Sequence, residues 1–415
     1  MTVAPAFPGR ALISLPALRH NLALLAGLTP GAQPVAVVKA DAYGHGGAIV
    51  AAAMLRAGVK HLAVAQLSEA LELLQRLEET GCPLPADGSM LAWIYAPGTD
   101  LSAAVRAGVD LTVSAPWQWQ TVAAAARATG LPARVHVQVD TGMTRAGFRP
   151  EQLDDALTEA RSLAGEGLVD VRGVWTHLAR ADSPQPGAVA ATRAQLESFS
   201  ACAERVRAHF PAAVRHALAT SGAIYYPHYA FERVRLGISL YGLAPNAHWE
   251  EEYAGLDDAA APAGALAEAA RRWRQVSAQL RPAMSLRAPL LQVSRVTAGT
   301  PVSYGGTWQA PTERWLGTVP LGYADGVPRH ASNAVSVWAA GALRQQVGRV
   351  CMDQFVIDLG PVLGEEPPAV PGDEVVLFGA APAPSADDWA AACGTIGYEI
   401  VTRVGVRVPR VEEEE

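Results

Sequence analysis

The sequence predicts an α/β protein with an N-terminal (β/α)8 TIM-like barrel and a C-terminal, mostly β domain. Three observations carry that prediction. Eight short apolar runs alternate with helix-length segments between residues 35 and 240, as parallel strands joined by helical crossovers do. After residue 286 the alternation gives way to closely spaced strand-like runs. The chain has 415 residues, 50% of them hydrophobic, which is enough length for two domains and enough apolar material for their cores.

The first segment, RALISL (10–15), is strand-like and can pack on either domain. VAVVK (35–39) is the first barrel strand and leads into a helical stretch near 46–57. HLAVA (61–65) precedes SEALELLQRLEET, with Ser68 as a candidate helix cap. MLAWIYA (90–96), LTVS (111–114), RVHVQVD (134–140), VDVRGVWTH (169–177), VRHALAT (214–220) and VRLGISL (234–240) complete the eight strands. A short echo, LRAGVKHLAV (55–64) and VRAGVDLTV (105–113), repeats one unit: helix end, glycine, buried strand. A doubly wound sheet is the alternative. It usually needs fewer strands, and DAYGHGG after the first strand lacks its G-x-G-x-x-G spacing. The barrel domain is therefore expected over 1–248, with residues 1–15 able to pack on the β domain. An acidic, Ala-rich insertion or linker with one helix (about 264–280) fills 249–285. In the C-terminal domain, 286–415, PLLQVSRV, RWLGTVPLGY, AVSVWA, QVGRVCMDQFVIDL and DEVVLFG read as strands. DDWAAACG and TIGYEIVTRV read as two short helices near its end.

Several function classes drop out. The formal net charge is -7, and a mildly acidic protein lacks the basic footprint that nucleic acid requires. No run of 18 apolar residues suggests a membrane span, and no basic-then-apolar leader opens the chain, so the cytoplasm is expected. Cys82, Cys202, Cys351 and Cys393 form neither a disulfide framework nor a Cys-x-x-Cys pair, and H-E-x-x-H is absent, so no metal is expected.

Lysine is the informative residue. Of 33 basic residues only Lys39 and Lys60 are lysine, leaving 31 arginines. Arginine keeps its proton near neutral pH and forms no imine, so a retained lysine invites a question. Lys60, in RAGVKHLAVA, reads as ordinary surface. Lys39 closes an apolar strand and enters DAYGHG; it is either a snorkelling strand-end amine or a reactive one. Barrel enzymes carry function at the C-terminal ends of their strands, where Lys39, Arg145, His177 and Ser221 all fall, and this favours the reactive reading.

A reactive amine needs an electrophile. If that is pyridoxal phosphate, the protein must also bind a phosphate and set the protonation of the ring nitrogen. The Tyr43 hydroxyl, the Ser221-Gly222 segment, the Gly237 and Ile238 backbone N–H groups, and Tyr398 are the candidate phosphate donors. Arg235, in the eighth strand, is either a strand-end surface residue or the donor to the ring nitrogen. Arg145, in the polar loop VDTGMTRAGF, either fixes the loop or neutralises a substrate carboxylate. His177 is a core or a site histidine, and Tyr304 and Tyr323 are structural or face a cleft. Cys351 is expected to be a buried thiol, since no Cys-His arrangement surrounds it.

VVKADAYGHG, VDTGMTRAGF, RLGISLYG, VSYGGTW, PLGYADG, RVCMDQF and TIGYEI, in that order over nearly the whole chain, resemble the alanine racemase family. The resemblance implies an enzyme using pyridoxal 5'-phosphate to interconvert L- and D-alanine, as a homodimer in which each β domain completes the partner's barrel site. It implies that Lys39 carries the cofactor and acts as one base, and that Tyr304 acts as the other on the opposite face. Tyr43, Ser221, Gly237, Ile238 and Tyr398 would hold phosphate, and Arg235, supported by His177, the ring nitrogen. Arg145 and Met352 would meet the substrate carboxylate, with Tyr323 narrowing the entrance. One departure stands out: many relatives carry a lysine, often carbamylated, where this chain has Gln138, so a chloride or the amide oxygen would have to partner Arg145. The alternatives kept open are a broader racemase favouring, for instance, serine, a barrel-type decarboxylase, and a non-enzymatic pyridoxal-phosphate-binding protein.

Overall fold

The computed structural model describes residues 7–256 and 264–414. Parts of the N-terminal segment and of the 249–285 insertion lie outside the described residues. The strands up to residue 236 are β1 (Arg10–Ser14), β2 (Gln33–Val37), β3 (His61–Gln66), β4 (Ser89–Ile94), β5 (Asp110–Val113), β6 (Ala133–Gln138), β7 (Val169–Trp175), β8 (Val214–His216) and β9 (Arg233–Leu236). β2 to β9 form an eight-stranded parallel sheet in which β2 lies between β3 and β9. Closure between β8 and β9 is slight. It consists of a bridge between Ala219 and Arg235 and a 3.0 Å hydrogen bond from the Arg235 N–H to the Leu218 carbonyl. All eight expected barrel strands are present and in order.

Several strands stop two to four residues before their apolar run does. Lys39, His177 and Ser221 therefore sit beyond strand ends, on the rim. The helix after β3 also starts differently from expectation. It begins at Leu67, so Ser68 lies inside the first turn and is not the cap. The Glu69 carboxylate accepts from the Ala65 and Gln66 N–H groups at 3.0 and 2.8 Å, and a carboxylate there outbids a serine for exposed first-turn donors.

β1 joins the C-terminal sheet. It runs antiparallel to Met284–Pro289 and parallel to Arg410–Glu413, two strands that the sequence reading does not contain. This nine-stranded sheet is otherwise antiparallel. The single strand expected at QVGRVCMDQFVIDL is broken in two, Ala342–Val347 and Phe355–Pro361. Gly348 accounts for the break: its φ is +75°, and a Cβ there would stand 2.7 Å from the Val302 carbonyl oxygen. The intervening loop carries Cys351 and Met352. Two helices are described in the insertion, Trp249–Ala254 and Ala265–Ser277. No described helix is long and apolar enough to cross a membrane. Near the end of the chain, Ala386–Cys393 and Gly397–Thr402 are the two short helices, and the second carries Tyr398 to the barrel mouth.

Candidate active site

The rim segment after β2 is unusual. Ala40, Asp41, Ala42 and Tyr43 all have φ between 52° and 54°, a left-handed turn built from non-glycine residues. Such a conformation costs about 1–2 kcal/mol per residue and persists only where its surroundings impose it. Here the surroundings are explicit. Glu69 accepts from the Ala40 N–H at 2.6 Å and Asp41 from the Gly47 N–H at 2.6 Å. Arg410, from the far end of the chain, donates to the Gly44 carbonyl at 2.9 Å. A Cβ on Gly44 would stand 2.2 Å from the Val401 carbonyl oxygen. The turn brings Lys39 and Tyr43 to one side of a cavity of about 260 Å³ at the barrel mouth.

Lys39 faces this cavity with Arg145, His177, Ser221, Arg235 and Tyr398. Its Nζ lies 5.7 Å from the ring centre of Tyr43 and 5.9 Å from that of Trp93. Burial lowers the pKa of the amine; Arg145 and Arg235 lower it further, against the opposing pull of Glu69. An amine so placed has its lone pair available more often than a surface lysine does. Lys60 is the contrast: it pairs with Asp87 on the surface.

Arg235 is buried, and burial pulls its pKa down to about 9, which still leaves it a cation at neutral pH. Its two Nη nitrogens donate to the His216 and Thr176 carbonyls at 2.7 Å, to the Ala217 carbonyl at 3.2 Å, to His216 Nδ1 at 2.9 Å and to His177 Nδ1 at 3.4 Å. The Nε–H is the donor that these contacts leave over. His177 has its pKa pushed down to about 3, by burial first and then by Arg235, Arg145 and Lys39. It is neutral at pH 7 and accepts from Arg235.

Beside Lys39, Tyr43 is buried against Tyr241 and Tyr398, with ring centres 4.7 and 6.2 Å away, and burial raises the pKa of its phenol. Gly237 admits that hydroxyl: a Cβ there would stand 2.7 Å from it. The Gly237 N–H already donates to Thr220 Oγ1 at 2.9 Å, a partner that sequence reasoning missed. Ser221 is the second residue of a short helix, Thr220–Tyr225. Arg145 is exposed on a loop organised by Asp140, whose carboxylate accepts from the Gly142, Met143 and Thr144 N–H groups at 3.0, 2.9 and 3.0 Å. Gln138 is buried at the end of β6, and its amide has no hydrogen-bond partner among the described residues.

Tyr304, Tyr323 and Met352 do not line this cavity. They are 72%, 42% and 54% exposed on the C-terminal domain. Tyr304 and Met352 border an open depression together with Cys351, which sits on a loop outside the sheet and is partly exposed, not the buried thiol expected from sequence. The depression is firmly built. The Tyr323 and Ala324 N–H groups donate to the Cys351 and Met352 carbonyls, both at 3.0 Å. Arg407 bridges Asp325 and Asp353, each at 2.5 Å. A further cavity of about 290 Å³, between the insertion helices and the barrel, contains none of the expected site residues.

Comparison with known proteins identifies the scaffold. The family described as "Alanine racemase, N-terminal domain" matches residues 13–245, and "Alanine racemase, C-terminal domain" matches residues 283–412. A curated alanine racemase from Streptomyces coelicolor is 43% identical over 408 residues, covering 97% of this chain and 95% of that protein. The solved alanine racemase of Streptomyces coelicolor is 41% identical, with a TM-score of 0.84 and 99% of each chain covered. That of Bartonella henselae, solved with covalently bound pyridoxal phosphate, is 25% identical, with a TM-score of 0.77 over 99% of this chain and 100% of that one.

Proposed function

The chain belongs to the alanine racemase family, an enzyme family, and from that premise we propose that it interconverts L- and D-alanine with pyridoxal 5'-phosphate, using Lys39 and Tyr304 as two bases. The observation that carries this reading is the Lys39 amine: depressed in pKa, beside a buried arginine, in a cavity at the mouth of a parallel barrel. The residues present suit the cofactor. Lys39 is the amine that would hold it covalently. Arg235 Nε–H is a spare donor for the ring nitrogen. Tyr43, Ser221, Gly237, Ile238 and Tyr398 surround the place where a phosphate would sit, with Ile238 the more available of the two backbone donors because Gly237 already serves Thr220. Once bound, the cofactor supplies an electron sink that acidifies the hydrogen on the alanine α-carbon.

The remaining work falls to the protein. Racemisation removes a proton from one face of the α-carbon and delivers one to the other. Lys39 Nζ does so on the face used by D-alanine, and the phenol oxygen of Tyr304, from the partner subunit, on the face used by L-alanine. Arg145 and Met352 meet the substrate carboxylate, and Tyr323 narrows the entrance. Arg235 stays charged and gives up no proton, so a ring nitrogen held by it would remain unprotonated and the cofactor would be a weaker electron sink with fewer side reactions. Neutral His177 accepts from Arg235 without adding charge. With Gln138 in place of an acidic partner, a chloride bound near Gln138 and Arg145 would supply the negative charge. The exposure of Tyr304 and Met352 supports a homodimer, because a second base facing solvent serves only a site brought to it. The product would feed bacterial cell-wall synthesis from the cytoplasm, with no nucleic-acid or membrane partner.

The test is conversion of L-alanine to D-alanine by the purified chain. Lys39→Ala should abolish it, and borohydride reduction of the loaded protein should leave its label on the peptide containing Lys39. Near-normal turnover in that variant, or a label elsewhere, defeats the assignment.

A further inference from the structure

Four polar side chains from four barrel strands meet inside the barrel: Asp110 of β5, His136 of β6, His216 of β8 and Arg235 of β9. None is more than 3% exposed. Only Arg235 lines the cavity. Barrel interiors are ordinarily filled by branched apolar residues, and unpaired polar groups there are costly. These four are joined end to end. Arg235 Nη1 lies 2.9 Å from His216 Nδ1, His216 Nε2 lies 2.9 Å from His136 Nδ1, and His136 Nε2 lies 3.4 Å from Asp110 Oδ2. The last link is a close approach of charge and ring nitrogen without hydrogen-bond alignment.

The contacts allow one arrangement of protons. A guanidinium only donates, so His216 accepts at Nδ1 and carries its proton on Nε2. That proton points at His136 Nδ1, which accepts in turn and leaves its own proton on Nε2, facing the carboxylate. Reversing either imidazole link, or adding a second proton to either ring, would set two N–H groups against each other. The packing holds the rings in place. A Cβ on Gly173 would stand 2.4 Å from His136 Nδ1, so only glycine leaves that ring its position. Trp175 lies parallel to His216, with an interplanar angle of 2°, and its ring centre is 4.8 Å from the Arg235 guanidinium carbon.

We propose that Asp110, His136 and His216 are positioning residues for Arg235, forming a one-way donor chain that ties the guanidinium to a buried counter-ion across the barrel and keeps its Nε–H turned into the cavity. The destination of that Nε–H, the cofactor ring nitrogen, rests on the pyridoxal-phosphate reading; the direction of the chain does not.

Two measurements test it. In the full-length protein labelled with ¹⁵N-histidine, with and without pyridoxal 5'-phosphate, ring-nitrogen NMR reports each proton. The two rings are assigned by the signals lost in His136→Gln and His216→Gln. Both should show a protonated Nε2 and a bare Nδ1 between about pH 6 and 8 in either sample. A protonated Nδ1 on either ring overturns the chain. The second measurement uses Asp110→Asn, which keeps the side chain's shape and an oxygen facing His136 Nε2 while the counter-charge is gone. Its rings should keep their protons, and its dissociation constant for pyridoxal 5'-phosphate, read by absorbance titration, should rise about 5- to 10-fold. An unchanged constant overturns the counter-ion role. If Asp110→Asn does not fold, the wild-type proton positions still decide the chain. A wild-type protein that takes up no cofactor overturns the aiming of Arg235 along with the parent reading, and leaves the same proton positions to judge the chain.

Discussion

The barrel mouth and the Tyr304 depression carry equally specific residues in opposite states. At the mouth, Arg235 and Tyr43 are buried and Lys39 is shielded, and the surrounding charges shift the protonation of Lys39 and His177. In the depression, Tyr304 and Met352 are largely exposed, although their loops are pinned by backbone hydrogen bonds and by the Arg407 bridge. A loop that is rigid yet turned outward is organised for contact with something outside its own subunit. On the proposed function each region is half of one site: the mouth would bind, and the depression would supply what the mouth lacks, a base for the second face.

The comparison breaks most sharply at its two bases. Beyond the loss expected for Lys39→Ala, Tyr304→Phe should lower kcat in both directions by about 10²–10⁴-fold, the usual contribution of a positioned acid–base group. Because the change removes one exposed oxygen, thermal stability should stay within about 0.5 kcal/mol of wild type. Largely retained turnover would reject Tyr304 as the second base. Mixing separates the two halves physically. If each site takes Lys39 from one subunit and Tyr304 from the other, a hybrid of Lys39→Ala and Tyr304→Phe chains has one intact site. Randomly reassembled from equal amounts, the mixture should recover about a quarter of wild-type activity from two inactive parents. No recovery after verified subunit exchange would mean that both bases act within one chain.

How much of this was legible follows the same division. The barrel could be read because each strand is a short apolar run bounded by turns, and Lys39 because lysine is so rare in this chain. The left-handed turn at Ala40–Tyr43 could not. Nothing in KADAY asks for positive φ; the conformation is imposed by Glu69, by the Asp41 contact to Gly47 and by Arg410, all but one of them distant in sequence. Sequence alone does not place β1 on either domain, because its partners, Met284–Pro289 and Arg410–Glu413, are hundreds of residues away. Thr220 and the Asp110–His136–His216 set were missed for the same reason. Each looks like an ordinary polar residue in or near a strand until the closed barrel brings the strands together. Motif resemblance reached the depression residues, but local pattern gave no sign that they stand exposed and apart from the barrel cavity.

The mouth should also register acid in a way the depression does not. His45 and His177 have pKa values pushed down to about 4 and about 3, and His216 lies well below its ordinary value, in each case chiefly through burial. In the unfolded chain these imidazoles titrate near 6.5. As pH falls below about 6.5 the unfolded state takes up protons that the native state refuses, so stability is fully present above that pH and is lost as pH drops toward 3–4. Each such imidazole contributes up to about 1.4 kcal/mol per pH unit in that window. Urea unfolding at pH 7, 6 and 5 should show the midpoint dropping. Equal midpoints would mean that these rings are not held neutral in the native state.

The smallest expected effect lies where the mouth meets solvent. Among the described residues, the amide of Gln138 at the buried end of β6 has no hydrogen-bond partner, and Arg145, exposed on the neighbouring loop, has no carboxylate bound to it. An anion there would fix the guanidinium in the direction a substrate carboxylate needs, and removing it would let the side chain swing. Because Arg145 is exposed, screening keeps the effect modest. Exchanging chloride for a large, poorly coordinating anion at constant ionic strength should therefore raise the KM for alanine by about 2- to 5-fold with little change in kcat, the pattern expected when binding rather than chemistry is disturbed. Gln138→Glu should remove that dependence, since a carboxylate at the strand end would replace the ion. A KM indifferent to chloride in the wild type would discard the ion and leave the amide oxygen of Gln138 as the partner of Arg145.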